Sequence, residues 1–219
     1  MITNLNNNSM EAKKFSISKL ELARKNPIDF GNHLRDDEEE PFNNRPKSVR
    51  WLDSTSVYHK NSSLSEAITY LENSFRNRKQ TKKNVKEVET LVNSLCLYVT
   101  ECSALNYTHY THKHKIEINL SSKLKTTGWV WIINTTSTGY SAYIVVNDND
   151  SHNWQGQLRF PIIQNYVANL IFNCPIEDVD VGIINYTEGK HHRTCFSQTD
   201  ITEALNELKA IGSQISSLL

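Results

Sequence analysis

The sequence predicts an α/β fold, a mixed central sheet flanked by helices with a helical insert ahead of it. Three observations carry that expectation. Apolar residues run through Trp129–Ile133 and Tyr143–Val146, rich in Val, Ile, Tyr and Trp, as strands buried on both faces require. Leu64, Ala67, Ile68, Leu71 and Phe75 fall at helical spacing and form one apolar stripe. Helical patterns recur on both sides of the strand region, so the order reads helix, helix, helix, three strands, helix, two strands, helix, that of an α/β sandwich.

Each element has a local reason. Residues 1–12, opening in an Asn-rich stretch, are expected to be a disordered tail. In KKFSISKLELARKNPIDF, Ser16 or Ser18 caps a helix bearing Leu20, Leu22 and Ala23, and Pro27 breaks it before Ile28 and Phe30 resume an apolar face. Residues 35–63 carry the acidic run Asp36–Glu40 with Pro41 and Pro46 and read as an exposed loop pinned by Trp51 and Leu52. Residues 64–100 form a helical subdomain, its second helix bearing Val85, Val88, Leu91, Val92, Leu95 and Val99. The core of this single domain is expected over 112–219. Thr138-Gly139 turns between the two apolar strands, and the second ends in Asn147-Asp148-Asn149-Asp150. A helix follows with Ile163, Val167, Leu170 and Ile171 on one side and Pro161 in its first turn. Asp180–Tyr186 and Arg193–Phe196 pair across a Glu188-Gly189 turn, and Asp200 with Glu203 has the spacing of a cap opening a terminal helix.

Composition excludes several classes. With 24 basic and 24 acidic residues the chain has no global field toward nucleic acid or membrane, so local patches must do that work. No apolar run reaches the roughly 18 residues of a membrane span, and the first residues lack the apolar core of a signal peptide, so a cytoplasmic protein is expected. Cys96, Cys102, Cys174 and Cys195 form no CxxC pair and read as reduced thiols. Arg76, Arg78, Lys79, Lys82, Lys83 and Lys86 place six cations within eleven residues at an inter-helix junction. They are the candidate nucleic-acid contacts, a solvated turn being the alternative. His112 and His114 would share a strand face, yet no third ligand joins them, and no metal site is expected. Trp129 and Trp131 are expected as core, with base stacking by one of them as the alternative.

The opening FSISKL with its downstream Asn-Pro, the Glu-bearing strand HKIEINL, the strand after Gly128, YIVVNDND and the Gln-bearing helix together resemble the PD-(D/E)XK nuclease superfamily, in its RecB and AddB branch. The resemblance implies a catalytic metal site, and laid on this chain it implies a degenerate one. Glu117 matches the early acidic position and Gly128 the glycine of Gly-x-x-Asp, but the metal-binding Asp is Trp131. The Asp/Glu-x-Lys register falls on Asn147, Asp148 and Asn149, and Gln157 or Gln164 with Tyr166 matches the helical motif. Asn26 replaces the opening cysteine. The implied role is a non-enzymatic nucleic-acid-binding or scaffold subunit of a larger nucleic-acid-processing or phage-related assembly, without a cofactor. The alternatives are an active Mg²⁺-dependent deoxyribonuclease using Asp148 or Asp150, and a purely structural interaction protein.

Overall fold

The computed structural model describes residues 12–36, 46–147 and 152–219. Six strands form one mixed sheet: β1 (Lys13–Ser16), β2 (Thr108–Asn119), β3 (Leu124–Thr135), β4 (Tyr140–Val146), β5 (Val179–Asn185) and β6 (Lys190–Thr194). β3 is the pivot. Antiparallel β2 pairs with it from Lys125 to Thr135 and takes one edge. The other edge is shared, by parallel β1 over Leu124–Thr127 and by antiparallel β4 over Ile132–Thr135. Gly128–Trp131 pair with neither, so β3 and the end of β4 part there. β5 lies parallel to β4, and β6 returns beside β5 through a turn at Gly189, whose φ of 72° suits glycine.

Helices cover both faces. On one side lie α1 (Leu20–Lys25), α2 (Pro27–Asp36), α6 (Arg159–Tyr166) and α7 (Gln198–Ser216); on the other lie α3 (Lys47–Asn61), α4 (Leu64–Ser74) and α5 (Lys82–Ala104). β4 shows the division. Its Ala142, Ile144 and Val146 join Phe160, Ile163, Leu208 and Ile211 in one core, while Tyr143 joins Trp51, Leu71, Leu95 and Tyr98 in the other. Such alternation is what a strand with helices on both faces requires.

Several elements differ from the sequence expectation. Most of the expected tail, and the acidic run after Asp36, lie outside the described residues. The stretch expected as an exposed loop over 35–63 is largely helical, because α3 occupies Lys47–Asn61 with Trp51 and Leu52 fully buried. Its buried face also holds Ser54 and Thr55, whose hydroxyls donate to the carbonyls of Trp51 and Leu52 at 2.6 and 2.7 Å. Polar residues thus fill positions where periodicity would show apolar ones. β1 is too short to alternate legibly. α5 begins at Lys82, capped by Thr81, so Lys82, Lys83 and Lys86 lie on the helix and not in the junction. α7 is capped by Ser197, not Asp200: the Ser197 hydroxyl accepts from the Asp200 N–H at 3.2 Å, and the Asp200 carboxylate accepts from the Ser197 N–H at 2.8 Å. All four cysteines are free, and among the described residues no helix is long and apolar enough to cross a membrane.

Candidate nucleic-acid interface

A backbone irregularity decides which side chains meet. Lys113, inside β2, has a left-handed φ of 54°, which a non-glycine residue seldom adopts in a strand. The facing stretch of β3 changes phase at the same level. Val130 packs in the core under α6 and α7, whereas Ile132 packs under α3 to α5. His112 and His114 consequently part company. His112 Nε2 lies 3.0 Å from Thr55 Oγ1 of α3, while the His114 ring sits 6.3 Å from that of Tyr166 on the opposite side. The shared face expected for the two imidazoles does not exist, and His112 instead meets His109 and His59.

At the carboxyl ends of β4 and β5 lies a pocket of about 370 Å³, lined by Val145, Val146, Asn147 and Tyr186 and, from the start of α3, by Pro46, Lys47 and Ser48. Open α/β sheets bind ligands at such strand ends. The amino end of α3 brings backbone N–H groups without intrahelical partners and a partial positive charge. Lys47 is ion-paired with Glu87, and Arg78 Nη1 lies 3.5 Å from the same carboxylate. Burial, then the charges of Arg78 and Lys83, push the Lys47 ammonium below its usual range. Two cations, Lys47 and Arg78, therefore share a single carboxylate. Behind them the guanidinium groups of Arg50 and Arg78 lie over the Phe75 ring, 5.1 and 4.9 Å from its centroid. None of the six expected nucleic-acid contacts lines this pocket: Arg78 approaches it through the carboxylate it shares with Lys47, and Arg76, Lys79, Lys82, Lys83 and Lys86 are exposed. Lys47 itself is absent from that expectation, because 29 positions separate it from Arg76, where the basic run begins.

The positions singled out by motif are dispersed. Glu117 is bound to Lys125 at 3.2 Å and lies opposite Thr127, four positions and about 13 Å along the strand from Trp131. Trp131 is half-buried against both cores and stacks on Trp129. At Gly128 a Cβ would run into the Ile17 side chain, so packing accounts for the glycine. Asn147 lines the pocket, while Asp148, Asn149 and Asp150 lie outside the described residues. Among the described residues no group of three or more His, Cys, Asp or Glu is arranged to hold a metal.

Gln157 closes the short turn after Trp154, its N–H donating to that carbonyl at 3.0 Å, and its own carbonyl accepts from the Phe160 N–H at 3.2 Å. Gln164 is a clamp. Fully buried, it donates to the carbonyls of Ile176 and Phe196 at 3.1 and 3.0 Å and accepts from the Phe196 N–H at 2.8 Å. Gln164→Ala should cost about 3 kcal/mol in urea unfolding, since it leaves buried backbone groups unpaired; an unchanged midpoint would refute the clamp.

Beside the pocket wall α3, β2 and α5 enclose a polar cluster. The Thr55 hydroxyl is committed to the Leu52 carbonyl, so it accepts from His112 Nε2–H. A neutral His112 then accepts at Nδ1 from His109 Nε2–H, 2.7 Å away. His109 Nδ1 is left as an acceptor facing Asn134 Oδ1 at 3.4 Å, while the buried Asn134 Nδ2 has no hydrogen-bond partner among the described residues. The chain closes when Asn134 presents that nitrogen to the ring. His59 stacks on His109 at 4.3 Å and meets the Tyr98 hydroxyl at 2.7 Å. Burial, reinforced by neighbouring imidazoles, lowers His59 to about 3 and His112 to about 2, and burial also lowers His109. Further along α5, the Glu101 carboxylate accepts from the His191 N–H at 2.9 Å, and His191 Nδ1 lies 3.0 Å from it. Burial raises the Glu101 carboxyl, but these contacts outweigh it and hold the group below its usual range.

No protein-family model and no curated protein matches the chain. Among solved structures it is similar to a candidate exonuclease from Eubacterium rectale, with 14% identity, a TM-score of 0.48, and coverage of 100% of this chain and 86% of that one. It is also similar to SSO0001, with 10% identity, a TM-score of 0.28, and coverage of 88% and 85%. At these identities and scores the likeness says nothing about activity.

Proposed function

We propose that the protein is a non-catalytic nucleic-acid-binding subunit on a PD-(D/E)XK-like core, serving a nucleic-acid-processing assembly. The observation that carries this reading is the pocket at the ends of β4 and β5. Its described lining offers a lysine, a serine, an amide, a phenol and a helix amino end, and no carboxylate. Phosphodiester hydrolysis with Mg²⁺ needs anionic oxygen ligands. The Trp131 indole has no lone pair for a hard cation, and the Asn147 amide has no charge to attract one, so these two positions do not fit the metal implied by the resemblance. The same lining suits a phosphate, and the exposed cations Arg76, Lys79, Lys82, Lys83 and Lys86 offer contacts to further phosphates.

Labelled single- and double-stranded oligonucleotides, followed by anisotropy at two salt concentrations with and without Mg²⁺, test the reading. Binding that weakens with salt and leaves the strand intact is expected. Reversing Lys79, Lys82 and Lys83 to Glu should lower affinity at least about 10-fold and flatten the salt dependence by roughly one phosphate contact per residue. Metal-dependent cleavage abolished by Asp148→Ala would overturn the proposal in favour of an active deoxyribonuclease. Absence of binding at low salt would leave a structural role.

A further inference from the structure

Among the described residues the α3 to α5 side of the sheet is only half covered. Ile132, Tyr143 and Ile184 lie under the helices, but the first half of β3 continues beyond with its neighbours β1 and β2. Phe15 and Ile116 are buried on the α6 and α7 side, which turns the intervening residues to the open face. Strand register arranges that face in rows. Lys14, Lys125 and Asn119 form one, Ser16, Thr127 and Glu117 the next, and Trp129 with Lys115 the third.

Trp129, expected as core, is 43% exposed. Its ring is stacked on that of Trp131, with centroids 6.2 Å apart and planes 21° from parallel. Since Trp131 is itself packed against both cores, the outer indole rests on a fixed support. An exposed Lys115 lies directly across the strand pair, and Lys14 and Lys125, the latter ion-paired with Glu117 at 3.2 Å, lie two rows away. An open aromatic face among cations is the arrangement that holds unpaired bases, because a duplex keeps its base faces stacked and out of reach.

We infer that Trp129 stacks a base of single-stranded nucleic acid while Lys115, Lys125 and Lys14 take the flanking phosphates. This rests on the nucleic-acid reading above and adds to it the strandedness and the place. The test compares anisotropy of an oligothymidylate of about 15 nucleotides with that of a duplex of the same length. Trp129→Ala should weaken single-strand binding about 10-fold and leave duplex binding unchanged. Trp129→Tyr should restore most of the loss, and the urea midpoints of both variants should stay near that of the parent. Equal single-strand affinity in the parent and Trp129→Ala overturns the stacking site alone and leaves the nucleic-acid reading intact. Equal losses for strand and duplex also overturn it. A parent protein that binds neither probe overturns the nucleic-acid reading and this site with it.

Discussion

Acidification should unfold the protein by about pH 4, with stability already falling below pH 6.5 because of the histidine cluster. In the unfolded chain these imidazoles take up protons near pH 6.5. In the fold His59 is held to about 3 and His112 to about 2, chiefly by burial and then by neighbouring imidazoles. Both folded values lie below the unfolded one, so their stabilising contribution is whole above pH 6.5. Below it the unfolded state binds protons that the fold excludes, and the contribution is lost progressively down to the folded values. Each imidazole removes about 1.4 kcal/mol per pH unit over that window, and the two together about 2.7 kcal/mol per unit. Against a stability in the lower half of the usual range of about 5 to 15 kcal/mol, two to three units suffice. Glu101, whose carboxyl is held low by His191 against the cost of burial, adds a loss in the same direction at the acid end. Urea midpoints followed from pH 8 to pH 4.5 should show this slope. His112→Gln should lose about 1 kcal/mol at pH 8, where the hydrogen bonds to Thr55 and His109 are weakened, and should show half the slope below pH 6.5. A stability that is flat from pH 7 to pH 5 would mean that the cluster admits water and charge.

The legible parts of this chain are those where one physical demand acts alone. In β4 the alternation of Ala142, Ile144 and Val146 with Tyr143 serves helices on both sides, and in α4 the stripe of Ala67, Leu71 and Phe75 serves one core. Elements under two demands are hidden. α3 must bury Trp51 and Leu52 and also supply Thr55 and His59 to polar partners, so its pattern reads as a loop. At Lys113 the backbone takes a conformation that no lysine advertises, and the phase of two strands turns on it. The candidate site shares this division. The basic run at Arg76–Lys86 stands out as composition, whereas Lys47 reaches the same carboxylate through tertiary structure alone. Gln164 fits a motif by residue type, yet its bonds go to Ile176 and Phe196. Trp129 has the character of a core residue, and only the extent of α3 to α5 leaves it exposed.

Trp51→Ala should be the most disruptive single truncation in the helical layer, costing about 4 kcal/mol in urea unfolding, within the range for a buried Trp to Ala change. The indole is fully buried in α3 and meets the edge of the Tyr98 ring of α5 at 5.3 Å between centroids. Loosening α3 reaches further than the cavity, because this helix carries Lys47 at the pocket and Thr55 and His59 in the polar cluster. Trp51→Ala should therefore weaken oligonucleotide binding and let the cluster protonate in the native state, so that the pH slope shrinks along with the stability. Trp51→Phe separates packing from polarity. Among the described residues the Trp51 Nε1–H has no hydrogen-bond partner, and an unpaired buried donor costs about 1 to 3 kcal/mol. Phe discards that donor while keeping most of the apolar contact with Tyr98, so its net cost should stay below about 2 kcal/mol, with binding and pH slope retained. If Phe proves as damaging as Ala, the indole N–H has a partner and α3 is held by that bond more than by burial. Trp129→Ala provides the contrast within the same protein: it should move single-strand binding while leaving the urea midpoint in place, since its indole lies on the open face where α3 does not reach.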